Sequence, residues 1–177
     1  MAVYVYYKEI GISLCVLPYI LISIALVAEL SDLFDGFLAR RYNQVTELGK
    51  ILDPMADSIF RLSVLVAFTQ GFLQLPILLV IVFFYRDSII STLRTICALR
   101  GFTLSARWSG KLKAVILASV AFFILLLMIP YSLGVMSLET FRSISLWSVG
   151  LSAVYVFYTG YEYIYANRQY IKKALGL

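Results

Sequence analysis

The chain has 177 residues, of which 62% are hydrophobic and 14% charged, and it carries a formal net charge of +5 with no histidine. Ordinary soluble domains hold about 45–50% apolar and about 25% charged residues, so this balance, with a mean hydropathy of +0.90, argues against a soluble globular protein and for a polytopic membrane protein. The basic residues lie between or beside apolar runs, which reads them as topology signals or anionic-ligand contacts rather than a nucleic-acid surface.

The opening segment, MAVYVYYKEI, is too short and has the wrong layout for a secretory signal peptide. The first predicted helical span runs over about Ile12–Phe34, followed by a loop region with Arg40, Arg41 and Lys50. A second span, about Leu48–Gln70, leaves through the uncharged connection Gly71–Leu75. A third span, about Pro76–Ile96, is followed by Arg100, Arg107, Lys111 and Lys113, with Arg94 at its edge. The fourth and fifth spans cover about Leu112–Tyr131 and Ile144–Tyr165, joined by a connection with only Glu139 and Arg142 charged, and the tail carries Arg168, Lys172 and Lys173. A hydrocarbon core about 30 Å thick needs about 20 helical residues, and each run meets that length if its few polar positions face inward. No repeat or linker divides the chain, so the expected architecture is all-α: one domain over residues 1–177, a transmembrane bundle of five spans. The positive-inside rule puts the first loop, the third loop and the tail in the cytoplasm, and Met1 on the outer side. Cys15 and Cys97 sit in apolar surroundings and suggest neither a disulfide framework nor a zinc site.

Four carboxylates interrupt this pattern at Asp32, Asp35, Asp53 and Asp57. On a helix, Asp32 and Asp35 project about 60° apart on one face, with Gly36, Ala39 and Arg40 near the same stripe. Gly49, Asp53 and Asp57 follow at spacings of four and form a second stripe. Asp32 or Asp53 alone would serve as a helix cap, but charge at the bilayer centre costs at least about 2.5–3.5 kcal/mol per residue, so the set requires compensation. A divalent cation, or two, supplies it. All-oxygen ligation suits Mg²⁺ or Mn²⁺, and such a cluster fits the bridging of phosphates. The small residues beside the acids would let a bulky ligand approach helix backbone. Pro54, with no N–H, fits best in the first turn of its helix or at a kink.

The segment DLFDGFLARRYNQVTELGKILDPMAD resembles the signature of the CDP-alcohol phosphotransferase family, with Asp32, Asp35, Gly36, Ala39, Arg40, Gly49, Asp53 and Asp57 at every fixed position. The resemblance implies an integral-membrane enzyme that moves a phosphatidyl or similar group from a CDP-linked donor to an alcohol. It implies that the four aspartates hold a pair of Mg²⁺ or Mn²⁺ ions on the donor's pyrophosphate, with Asp57 also the base that deprotonates the acceptor. Gly36, Ala39 and Gly49 would line the cytidine pocket, and Arg40 would order the acids or the phosphates. Downstream, YRDSIISTLR (Arg86, Asp87, Ser91, Leu93, Arg94) and WSGKLKA (Gly110, Lys111, Lys113) resemble the branch of the family that makes phosphatidylglycerophosphate. Asp87 stands where that branch has Glu, and Ala114 where it has Thr.

That likeness implies CDP-diacylglycerol as donor and glycerol 3-phosphate as acceptor, with Arg86, Arg94, Lys111 and Lys113 meeting the acceptor's phosphate. It also implies a homodimer among membrane lipids, in a bacterial cytoplasmic membrane, with the active site facing the cytoplasm. The family has six spans and a cytoplasmic N-terminus, and the span ending at Phe34 corresponds to its second, so an upstream helix is expected in the gene. Three rivals remain: another acceptor (inositol phosphate, serine or phosphatidylglycerol), a divalent-cation transporter using the same carboxylates, and an inactive relic. A transporter's carboxylates should spread along a path near the midplane, whereas these flank one short basic loop.

Overall fold

In the computed structural model, described residues are 1–42, 47–101 and 108–175, with side chains described except at 32, 33, 35–40, 47–54, 57, 109, 111, 174 and 175. Seven helices lie among them, and no strand: α1 (Ala2–Val5), α2 (Leu17–Arg41), α3 (Glu47–Phe68), α4 (Ile77–Leu99), α5 (Trp108–Ser132), α6 (Leu138–Ala166) and α7 (Arg168–Leu175).

The helices start and stop at backbone signals rather than where hydropathy fades. Gly11 has φ +78, a left-handed conformation suited to glycine, and α2 begins at Leu17 with Pro18 in its first turn, not at Ile12. Nothing in the residues after Phe34 ends a helix, so α2 continues through the acidic stretch to Arg41. The α3–α4 connection turns at Gly71 (φ +65), and Pro76, extended at φ −60 and ψ 121, starts α4. Ser137 caps α6: its Oγ accepts the Thr140 N–H at 3.1 Å and satisfies one of the first-turn amides. Of the two positions expected for Pro54, the first turn of a helix or a kink, the first does not hold: Pro54 lies in the interior of α3, which already begins at Glu47. Its missing N–H leaves the carbonyl of residue 50 without the usual i+4 donor.

By length and apolar composition, one helix among the described residues can cross a membrane, Leu112–Ser132 of α5; α2 and α3 offer the shorter apolar stretches Leu17–Ser31 and Ser58–Phe68. α4 carries Arg86 and Asp87 near its middle and Arg94 in its second half, and α6 is interrupted by Ser, Thr and Tyr. On α6 the apolar side chains of Trp147, Leu151, Val154 and Phe157 are exposed, while Ser145, Ser152 and Thr159 are buried, as are Phe141, Val149, Val156 and Tyr163.

The chain divides into two compact units: Met1–Leu75 with Ala121–Ser145, and Pro76–Val120 with Leu146–Leu177. In the first, α1 lies against α2 and α3. Tyr4 is buried there, edge-on to Phe68 at 5.6 Å and to Phe72 at 5.2 Å between ring centroids. Phe72 stacks on Tyr131, which stacks on Phe141. The Tyr4 hydroxyl donates to the Gln70 carbonyl at 3.2 Å and accepts the Leu73 N–H at 3.1 Å. Arg142 fixes the same turn, its Nε donating to the Phe72 carbonyl at 2.8 Å. Cys15 and Cys97 are free thiols, and Cys15 donates to the Ser132 carbonyl at 3.3 Å.

Burial pushes the Tyr4 hydroxyl up to about 12. A raised folded-state value means the hydroxyl's contribution to stability is complete below its ordinary value near 10 and is lost as pH rises through about 12. Tyr4→Phe should destabilise the protein by about 1–3 kcal/mol, because the buried Leu73 N–H loses its acceptor. Thermal unfolding in detergent measures this; a parent-like midpoint would show that the hydroxyl contributes nothing.

In the second unit, α7 lies against α4. Ile171 is buried with Cys97 and packs with Leu93 and Ile96. Lys172 and Lys173 remain exposed, and the Arg168 guanidinium lies 4.2 Å from the Tyr165 ring centroid.

Candidate active site

The backbone places both acidic stripes on helices. Asp32, Asp35, Gly36, Ala39 and Arg40 belong to α2, and Gly49, Asp53 and Asp57 belong to α3. Their spacings therefore act as helical spacings, with 32, 35, 36 and 39 along one side of α2 and 49, 53 and 57 along one side of α3. The side chains of these residues, and of Lys111, lie outside those described. The donor chemistry fits a hard divalent ion: carboxylates in the stripes, no histidine in the chain, and thiols placed elsewhere. Among the described residues, no group of three or more His, Cys, Asp or Glu gathers as a metal site.

A second polar constellation lies within the unit formed by Pro76–Val120 and Leu146–Leu177. Asp87 of α4 is its centre. Its carboxylate receives the Lys113 ammonium at 2.5 and 2.7 Å and the Arg86 guanidinium at 3.2 Å. All three side chains are largely buried, with 8, 12 and 15% of the Lys113, Arg86 and Asp87 side chains exposed. Each of these charges is costly to bury without the others. Arg86 Nη2 also donates to Thr159 Oγ1 at 3.4 Å, and Arg86 Nε has no hydrogen-bond partner among the described residues.

Arg94, about two turns further along α4, differs. The residue is exposed, its Nε donates to Tyr163 Oη at 3.1 Å, and its guanidinium carbon lies 5.2 Å from the Tyr163 ring centroid. Its two terminal nitrogens make no hydrogen bond among the described residues. Such a planar fork, anchored at its inner nitrogen with its outer edge open, is suited to bidentate binding of a phosphate.

Of the predicted phosphate contacts, then, Arg86 and Lys113 come together on Asp87, while Arg94 stands separately on Tyr163. The residues that hold them on α6, Thr159, Gly160 and Tyr163, were not singled out by sequence reasoning. In a helix rich in Ser, Thr, Gly and Tyr they look like ordinary packing positions, and only the pairing of α6 with the α4 arginines distinguishes them.

Comparison with known proteins supplies the remaining information. The family model described as CDP-alcohol phosphatidyltransferase matches residues 12–170. The chain is 36% identical over 141 residues to a CDP-diacylglycerol–glycerol-3-phosphate 3-phosphatidyltransferase of Blochmanniella floridana, covering 75% of this chain and 72% of the relative. It is 34% identical over 152 residues to the protein of the same name from Bacillus subtilis (strain 168), covering 83% and 72% respectively. With the one from Rickettsia typhi (strain ATCC VR-144 / Wilmington) it shares 32% identity over 146 residues, covering 81% and 78%.

Proposed function

The chain belongs to the CDP-alcohol phosphatidyltransferase family, and from that premise we propose that it transfers the phosphatidyl group of CDP-diacylglycerol to glycerol 3-phosphate, giving phosphatidylglycerophosphate and CMP. The observation that carries this reading is the complete acidic signature on α2 and α3, in a chain similar to relatives named for that reaction.

The chemistry is a single displacement. The acceptor's hydroxyl oxygen forms a bond to the lipid-side phosphorus of the donor, and the bond from that phosphorus to the CMP oxygen breaks. Asp57 takes the hydroxyl proton, and CMP leaves with the bonding electron pair. Asp32, Asp35, Asp53 and Asp57 would hold a pair of Mg²⁺ or Mn²⁺ ions, which when bound offset the charge that builds on the donor's phosphates. Gly36, Ala39 and Gly49 present little side chain and leave room for the cytidine along the helix backbone. Arg40 contributes a fixed cation for the acids or the donor phosphates.

Arg86, Arg94, Lys111 and Lys113 bind the acceptor's phosphate, with the open fork of Arg94 the most direct contact. Arg94→Ala should raise the KM for glycerol 3-phosphate by about tenfold or more, the cost of losing a charged hydrogen-bonding partner. The KM for CDP-diacylglycerol should change far less. Equal effects on both substrates would assign Arg94 to folding or topology instead.

The working form is a polytopic bundle in the bacterial cytoplasmic membrane, with its site open to the cytoplasm. Support comes from the exposed apolar side chains of Trp147, Leu151, Val154 and Phe157 on α6 and from basic residues gathered where the predicted spans end, at Arg40, Arg41 and Lys50, at Arg100, Arg107, Lys111 and Lys113, and at Arg168, Lys172 and Lys173. A homodimer is supported by the family resemblance alone. Purified protein given CDP-diacylglycerol and separate acceptors (glycerol 3-phosphate, inositol phosphate, serine, phosphatidylglycerol) should release CMP fastest with glycerol 3-phosphate. Faster release with any other acceptor would reassign the substrate.

A further inference from the structure

We propose that a stripe on α6, formed by Thr159, Gly160 and Tyr163, positions the two arginines of α4 and thereby selects an acceptor that carries its own phosphate. The inference rests on the reading of Arg86 and Arg94 as phosphate contacts and adds to it the residues that aim them.

Tyr163 is 2% exposed and Thr159 fully buried, so both are fixed by the packing around them. The Tyr163 backbone is tied down as well, its carbonyl accepting the Asn167 side-chain amide at 2.9 Å. Its hydroxyl accepts from Arg94 Nε at 3.1 Å, and its ring lies beside the guanidinium. Because a guanidinium is planar, fixing Nε against a buried hydroxyl restricts the direction of the outer edge, whose two terminal nitrogens make no hydrogen bond among the described residues. An arginine held in this way loses less rotamer freedom when it meets a phosphate than one swinging freely in solvent.

Thr159 does the same for Arg86. The Thr159 hydroxyl donates its proton to the Val156 carbonyl at 2.8 Å, so it can only accept from Arg86 Nη2. Gly160 supplies the space, since a Cβ there would come within 3.1 Å of Arg86 Cγ. A side chain there would press on the arginine stem, which is also held at its head by Asp87 and Thr159. Thr159 and Tyr163 are about one turn apart on α6 and Arg86 and Arg94 about two turns apart on α4, and the long arginine side chains reach the two α6 hydroxyls. These α6 residues need not touch substrate. They act through the arginines, as positioning residues.

The test uses the full-length protein in detergent, with CMP release followed against each substrate in turn. Tyr163→Phe keeps the ring and removes only the hydroxyl. Thr159→Val keeps the shape and removes the acceptor, and Thr159→Ser returns it. Tyr163→Phe and Thr159→Val should each raise the KM for glycerol 3-phosphate by about five- to tenfold, with the KM for CDP-diacylglycerol within about twofold of the parent. Thr159→Ser should recover most of the loss, a rescue that general destabilisation would not produce. If the two variants match the parent, or raise both KM values equally, the positioning role is overturned. A parent that releases no CMP with glycerol 3-phosphate would overturn the underlying function reading and this inference together, whereas an active parent with parent-like variants overturns this inference alone.

Discussion

Asp57→Asn should lower turnover by about 10²–10⁴-fold while leaving much of the affinity for CDP-diacylglycerol in place, the range expected when a positioned general base is lost. Asparagine has nearly the same shape as aspartate but carries no charge and takes no proton at neutral pH. Asp57 closes the acidic stripe on α3, two helical positions of four beyond Gly49. On the proposed assignment Asp32, Asp35 and Asp53 would still hold at least one ion, so donor binding should outlast the chemistry. A fall in kcat with little change in the donor's KM is the signature of an interaction made in the transition state. A variant that turns over within about tenfold of the parent would remove Asp57 from that role.

Removing divalent ions should abolish activity, and adding Mg²⁺ or Mn²⁺ should restore it. The reason is electrostatic. Four carboxylates sharing one site would repel one another, and each charge placed in an apolar surrounding would cost at least about 2.5–3.5 kcal/mol. Hard divalent cations relieve both costs and suit an all-oxygen set. With no histidine in the chain, the acidic stripes have no softer ligand to recruit. Dialysis against a chelator, followed by titration with each metal, gives the dependence directly. Full CMP release in metal-free buffer would contradict the assignment of Asp32, Asp35, Asp53 and Asp57 as metal ligands.

The helical character of the chain and the two acidic stripes were legible because helix periodicity and carboxylate spacing are local properties. The apolar core of α5 is the clearest case: a predicted span over Leu112–Tyr131 and an observed apolar stretch over Leu112–Ser132. The extent of α2 was harder, since hydropathy marks where a helix stops being apolar, not where it stops being a helix. Gly11 and Pro18 define its start better than the first apolar residue, Ile12. Long-range pairings were not legible. Tyr4 is one of three tyrosines in its segment, and only its hydrogen bonds to Gln70 and Leu73, 66 and 69 residues away, set it apart. In the sequence Arg86 reads as a contact to the acceptor's phosphate and Asp87 as a residue standing in place of Glu. Their connection to Lys113, 26 residues on, and to Thr159 required the fold.

Transfer of label from glycerol 3-phosphate into lipid tests the central claim most directly. Purified protein, CDP-diacylglycerol, Mg²⁺ or Mn²⁺ and radiolabelled glycerol 3-phosphate should move the label into the organic phase in step with CMP release, one labelled lipid for each CMP. The lipid formed should carry a terminal phosphomonoester that a phosphatase removes. CMP release without labelled lipid, or no CMP release at all with metal and both substrates present, would contradict it.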